Sequence, residues 1–363
     1  MAKGIHMQLC FVVGRNGIGK SQYLIEQAQK NEASGTILVC NTIHDKSQKL
    51  KLTKRFSAKN PASRPNTIIK SILKKMLSEG SHRLNQMARV LNYCGYAPYL
   101  RVRVTATSSY LTAFSSPYKQ DHRLDILKVA SGIFRQDHSA EFHINFDEDF
   151  KVSDLSILEV LLNEESELRK NRIINPIEIS LINQDRMYIP LQHASSGQLS
   201  LITSFMFILS EVKDAKHVFI DEPENSLHPL WQREYVSMLL GLLGYHEVEV
   251  TIATHSPLIV TGAQLNTDIG CVFYHPENDS FSNSDAINIE ETLWEQFETV
   301  PPESRYLSEK ISSVLGKLAS RKATLEDTLS FLKNAESSSF DPRQHDVFEA
   351  ARKLAFQIQE NNN

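Results

Sequence analysis

The chain of 363 residues carries 41% hydrophobic and 23% charged residues and a formal net charge of −4, which is ordinary for a soluble globular protein. That length suits one large domain, or a core domain with an insertion. No stretch approaches the about 18–20 uninterrupted apolar residues of a membrane span, the N-terminus lacks the apolar centre of a secretory signal, and the four scattered cysteines show no metal or disulfide spacing, so a cytoplasmic protein with reduced thiols is expected.

In chain order, Leu9–Val13 is an apolar run that reads as a buried strand. A glycine-rich turn follows, then a helix from Ser21 to Lys30 and a second buried strand at Thr36–Cys40, which together make a βαβ unit. From Lys46 to Asp147 the pattern turns basic and mostly helical, with Ile69, Ile72, Leu73 and Met76, and then Leu84, Met87, Val90 and Leu91, at helical spacing. Residues 46–147 are therefore expected to be an insertion, opened by a loop at Asn60-Pro61 and Arg64-Pro65. After a strand-like run at Ile177–Ile182 the core pattern returns: a helix from Gly197 through Leu209, a strand at His217–Ile220, a helix near Leu230–Leu243 and an alternating strand at Val248–Ile252. Such alternation implies an α/β fold with a mostly parallel sheet covered on both faces. Residues 1–45 and 148–300 are expected to form this core in two lobes, and residues 301–363 a helical C-terminal segment with a frayed Asn361-Asn362-Asn363 end.

Gly14-Arg15-Asn16-Gly17-Ile18-Gly19-Lys20-Ser21 fits the P-loop pattern G-x-x-x-x-G-K-[S/T] in full, with a strand before it and a helix after it. Glycines let the backbone wrap a phosphate so that successive N–H groups point inward, and the helix N-terminus adds its dipole. Lys20 reaches the β- and γ-phosphates and the Ser21 hydroxyl ligates Mg²⁺, so ATP and Mg²⁺ are the expected ligands. A second carboxylate is needed at the end of a neighbouring buried strand, and Val218-Phe219-Ile220-Asp221-Glu222 supplies it. Asp221 is the candidate metal ligand beside Ser21, and Glu222 the base that orients or activates the attacking water. The alternative for both acids is a simple strand cap.

Two further segments narrow the class. Ala194-Ser195-Ser196-Gly197-Gln198 resembles the ABC signature L-S-G-G-Q, with Ser196 at the first glycine, although small polar residues before a helix are also ordinary N-caps. Thr254-His255-Ser256-Pro257 resembles the switch (H-loop) segment, with His255 as the histidine. Between them, Asp221-Glu222-Pro223-Glu224-Asn225-Ser226-Leu227-His228-Pro229 is similar to the Walker B and D-loop string of the SMC/RecF/OLD branch of ABC-class P-loop NTPases. The resemblance covers residues 7–30 and about 190–260. It implies an ATPase head in which Ser195, Ser196, Gly197 and Gln198 face the γ-phosphate held by a second copy, giving a homodimer around two ATP molecules or a higher oligomer built from it. Gln48 and Gln86 are both candidates for the Q-loop glutamine. The glutamate and D-x-D constellation that gives OLD proteins nuclease activity is not found after His255.

From Lys46 to Arg103 there are fourteen Lys/Arg residues against one acid, Glu79, whereas Glu141–Glu167 holds nine acids and one base, Lys151. The basic block fits a nucleic-acid backbone, an acidic protein partner or a solvated face. Short heads of this kind resemble ATPase subunits of anti-phage defence systems, Septu-like and retron-associated, which work beside a separate effector such as a nuclease. The rival implications are a RecF-like ATPase that acts on DNA itself and the motor subunit of a membrane transporter. The string Glu224–Pro229 argues against the last.

Overall fold

The computed structural model of the chain describes residues 8–42, 54–58, 64–79, 84–107, 138–147, 152–244, 246–266, 270–283, 289–300, 304–339 and 344–362. The core strands are β1 (Gln8–Val12), β2 (Thr36–Cys40), β3 (Arg55–Ser57), β8 (His217–Asp221), β9 (Glu249–Ala253), β10 (Cys271–His275) and β11 (Ser280–Asn283). They form a seven-stranded sheet in the order β11-β10-β1-β9-β8-β2-β3. Every pairing is parallel except that of β10 with β11. Every residue of β2 is buried, as a parallel strand covered on both faces requires. Among the covering helices are α1 (Lys20–Lys30), α5 (Ser196–Glu211), α6 (Pro229–Leu243), α7 (Pro257–Asn266) and α8 (Ile289–Phe297). Among the described residues no helix is long and apolar enough to cross a membrane.

Strand order corrects one expectation. β8, which carries Asp221, does not neighbour the P-loop strand β1, because β9 is inserted between them. The site therefore spans three adjacent strand ends, and His255 emerges from the middle one.

A second correction concerns residues 46–147. Helices α2 (Pro65–Glu79) and α3 (Leu84–Tyr93) stand where the apolar spacing places them, but β3 joins the edge of the main sheet beside β2. Strands β4 (Tyr96–Thr105) and β5 (Ser139–Asn145) pair with β6 (Glu178–Asn183) and β7 (Tyr188–Pro190) in an antiparallel sheet of order β5-β4-β6-β7. The described part of this region is thus mixed, and its sheet crosses the expected boundary at 147/148. The physical reason is a period-two pattern in which Leu100, Val102 and Val104 point inward and Arg101 and Arg103 outward. A tally of bases conceals that alternation.

The two charge blocks meet each other in the fold. Helix α4 (Val152–Lys170) brings Glu165 onto Lys70 of α2 at 2.6 Å, with both side chains 11% exposed. Arg101 and Arg103 lie 3.5 and 3.8 Å from Glu141, and Lys75 lies 3.1 Å from Glu211. Part of the basic character legible in the sequence is consumed inside the protein.

Helices α9 (Arg305–Ala319), α10 (Leu325–Ser337) and α11 (Gln344–Asn362) carry their own core of Leu307, Ile311, Leu315, Leu332 and Phe348. Thr324 and Asp327 close a capping box on α10. Helix α11 continues to Asn362, so Asn361 and Asn362 are helical rather than frayed.

Candidate functional site

Residues 14–21 turn the chain from β1 into α1. Gly14, Gly17 and Gly19 take φ values of 127°, 88° and 103°, a region that a Cβ disfavours, which is why this loop needs glycine. Gly19 is the residue from which α1 starts, and no side chain caps that helix. Its first N–H groups are left for a ligand.

Lys20 is buried at the first position of α1 and donates to the carbonyls of Gly14 at 2.7 Å and Arg15 at 2.9 Å. Burial pushes the ammonium below its ordinary value, while Glu222, Glu224 and Asp221 pull the other way. Next in the chain, the Ser21 hydroxyl donates to Asp221 Oδ1 at 3.0 Å, joining residues 200 positions apart. Asp221 is 3% exposed at the end of β8. A hydroxyl and a carboxylate side by side suit a hard cation such as Mg²⁺, which takes only one or two protein oxygens and completes its shell with phosphate and water. Among the described residues no group of three or more His, Cys, Asp or Glu side chains is placed to hold a metal by itself.

Glu222 follows Asp221 with φ 48°, a left-handed conformation uncommon outside glycine, asparagine and aspartate. Three hydrogen bonds hold it there: its N–H donates to Ala253 O at 2.9 Å, its carbonyl accepts from the Asn225 N–H at 3.3 Å, and its Oε2 accepts from Asn225 Nδ2 at 3.0 Å. The carboxylate stays part-exposed, and His255 Nδ1 stands 3.7 Å from Oε1. Asp221, Glu222 and His255 are thus gathered at the ends of β8 and β9, opposite Lys20 and Ser21. Asn16 and Ile18 complete the loop between its glycines, and exposed Arg15 pairs with Glu298 at 2.9 Å.

The segment 194–198 goes elsewhere. Ser195 caps α5 in a capping box with Gln198. Gln198 then donates to Cys94 O at 2.9 Å and accepts from Tyr96 OH at 2.8 Å, so the antiparallel sheet anchors it. Ser196 is the first residue of α5. A Cβ on Gly197 would stand 2.5 Å from Ser226 O, so glycine permits the close approach of this helix start to the loop after Glu222. Of the two glutamines considered for the Q-loop, Gln86 donates to Leu242 O on α6, a structural contact, and Gln48 lies outside the described residues.

Sequence reasoning gave Glu224 no role, and the structure places it at the hinge of the site. Its Oε1 accepts from Thr254 Oγ1 at 2.8 Å and from the His255 N–H at 2.8 Å, and His255 Nδ1 lies 3.2 Å away. The carboxyl is 6% exposed, and burial pushes it above the ordinary carboxylate range. Glu224 is a positioning residue that ties the loop after β8 to the loop after β9. Its signal was present in the string Asp221-Glu222-Pro223-Glu224, where an acid recurs just after a buried strand end. Glu224→Ala removes the shared acceptor of Thr254 and the His255 backbone. The expected result is a fall in kcat of up to about 100-fold with KM for ATP little changed, and partial recovery in Glu224→Gln, which keeps one acceptor. Steady-state kinetics checks it: a change in KM alone would assign Glu224 to nucleotide binding instead.

A family model described as "AAA domain, putative AbiEii toxin, Type IV TA system" matches residues 73–261, more than half of the chain. The matched span begins within α2 and includes Ser195–Gln198, Asp221, Glu222, Glu224 and His255. Residues 14–21 precede it, and the fold brings them to it through the Ser21–Asp221 contact. A search of curated proteins gives no match. With a P-loop NTPase fold and more than half its length matched, the chain belongs to this family of AAA-domain P-loop ATPases.

Proposed function

We propose that the chain hydrolyses ATP to ADP and phosphate, with Glu222 orienting the attacking water and His255 sensing the γ-phosphate end of the nucleotide. Lys20 and the backbone N–H groups of residues 14–21 bind the phosphates. Mg²⁺, held by Ser21 and Asp221, supplies charge neutralisation on those phosphates. The observation that carries this reading is the Ser21–Asp221 contact at 3.0 Å beside Glu222 and His255.

The site on one chain is half of a composite one in this reading. Gln198, the capping-box partner of Ser195, is bonded to Cys94 and Tyr96, and Gly197 at the start of α5 packs closely on Ser226. A second copy then offers its own α5 N-terminus to the γ-phosphate, by the anion logic of helix ends. ATP closes the homodimer and hydrolysis reopens it, which lets the ATPase restrain or release a separate effector. The SMC/OLD-like string 221–229 and the toxin description of the matched family support a place in a bacterial defence system whose effector, a nuclease, is another chain. The internal pairing of Lys70, Lys75, Arg101 and Arg103 weighs against DNA as the primary partner of the basic block.

Light scattering tests the sandwich. Glu222→Gln is expected to double its mass on adding Mg·ATP and to return to the smaller species when Lys20 is also replaced by alanine. A single mass with and without ATP would sink the composite site.

A further inference from the structure

Gln232 lies in the first turn of α6, outside the phosphate loop and the strand ends, yet its amide bridges two loops of the site. Its Nε2 donates to Leu227 O at 3.0 Å, in the loop that follows Glu222. Its Oε1 accepts from the Ser256 hydroxyl at 2.7 Å, in the loop that follows β9. A carbonyl can only accept, so Leu227 O fixes which end of the amide faces it, and Ser256 is left to donate. The start of α6 is secured separately, by Pro229 at its first position and by His228 Nδ1, which accepts the Leu230 N–H at 3.2 Å.

These bonds close a circuit around His255. The Leu227 N–H donates to Glu224 O at 3.0 Å, Thr254 Oγ1 donates to Glu224 Oε1 at 2.8 Å, and the Ser256 N–H donates to Thr254 Oγ1 at 2.9 Å. Thr254 and Ser256, the chain neighbours of His255, are buried, whereas the His255 side chain is 41% exposed. The direction in which the imidazole leaves the loop is therefore governed by its two anchored neighbours. Glu224 anchors one of them and Gln232 the other. Ser226, next to Leu227, takes φ 67°, a left-handed conformation that persists in a non-glycine residue where surrounding contacts over-determine it.

We propose that Gln232 is a positioning residue for His255. By holding Ser256 against the loop after Glu222, it keeps the imidazole aimed at the γ-phosphate end of the nucleotide. The assignment rests on the reading of His255 as the group that senses that end. Gln232 acts only through the loop it braces, so its loss is felt in turnover and not in the binding of a nucleotide that lacks the γ-phosphate.

Steady-state ATP hydrolysis and ADP titration of the full chain carrying Gln232→Met, His255→Ala or both test it. Methionine is a good helix former of similar length and removes both bonds. Gln232→Met is expected to lower kcat about tenfold, less than Glu224→Ala because one anchor of His255 remains, with ADP affinity unchanged. The double variant is expected to fall no further than His255→Ala alone, because without the imidazole there is nothing left to position. Ser256→Ala removes the same bond from its other end, is expected to match Gln232→Met, and carries the test if that variant does not fold. Native kcat in either Gln232→Met or Ser256→Ala overturns the assignment and leaves His255 in its role. So do losses that multiply in the double variant, or a weakened ADP affinity in Gln232→Met. Native kcat in His255→Ala removes the sensing role itself, and the assignment with it.

Discussion

Glu222→Gln is expected to lower ATP hydrolysis by about 100- to 10,000-fold while leaving ATP binding intact, because general-base assistance contributes an acceleration of that size. The substitution is close to isosteric, and its amide oxygen still accepts from Asn225 Nδ2, which bonds the native carboxylate at 3.0 Å. The left-handed backbone of Glu222 is held by its own N–H to Ala253 O and is not altered. What disappears is the negative charge that orients water in the proposed mechanism. Lys20, Ser21 and Asp221 keep their contacts, so nucleotide affinity is preserved or rises as turnover stops. Phosphate release and nucleotide titration on the same preparation check both halves. Hydrolysis at the native rate would take the base role away from Glu222.

The largest expected effect on stability lies outside the site, at Lys70. Its ammonium meets Glu165 Oε1 at 2.6 Å, and the same oxygen accepts the Ile177 N–H at 3.0 Å. Burial pushes the Lys70 ammonium below its ordinary value, with Glu165 opposing that shift. Lys70→Met leaves a carboxylate buried without its counter-charge, which costs about 3–5 kcal/mol. The double variant Lys70→Met/Glu165→Gln removes both charges and keeps an acceptor for Ile177, so most of the loss is expected to return. Denaturant unfolding of the two single variants and the double variant measures the coupling. A double variant as unstable as the sum of the singles would mean that the ion pair has no net interaction.

The sequence pointed to the proposed chemistry through contiguous strings. Gly14–Ser21 forms its loop locally, since three glycines and a following helix suffice, and Asp221-Glu222 sits at the end of an apolar run that can only be a buried strand. The parallel sheet was legible for the same reason, because short, mostly apolar strands alternate with helical stretches. Strand order was not: nothing local says that β9 enters between β1 and β8. The antiparallel sheet was hidden in part because its strands pair across a long stretch of chain, as Arg103 with Glu178 shows. Long-range pairing also decided the fate of the charge blocks, since Lys70 finds Glu165 only once α2 packs on α4. Glu224 is an ordinary polar residue in the sequence, and burial against Thr254 and His255, thirty residues further along the chain, is what gives it its role. A local signal fixes what a segment is, whereas which segments meet is set by packing the whole core.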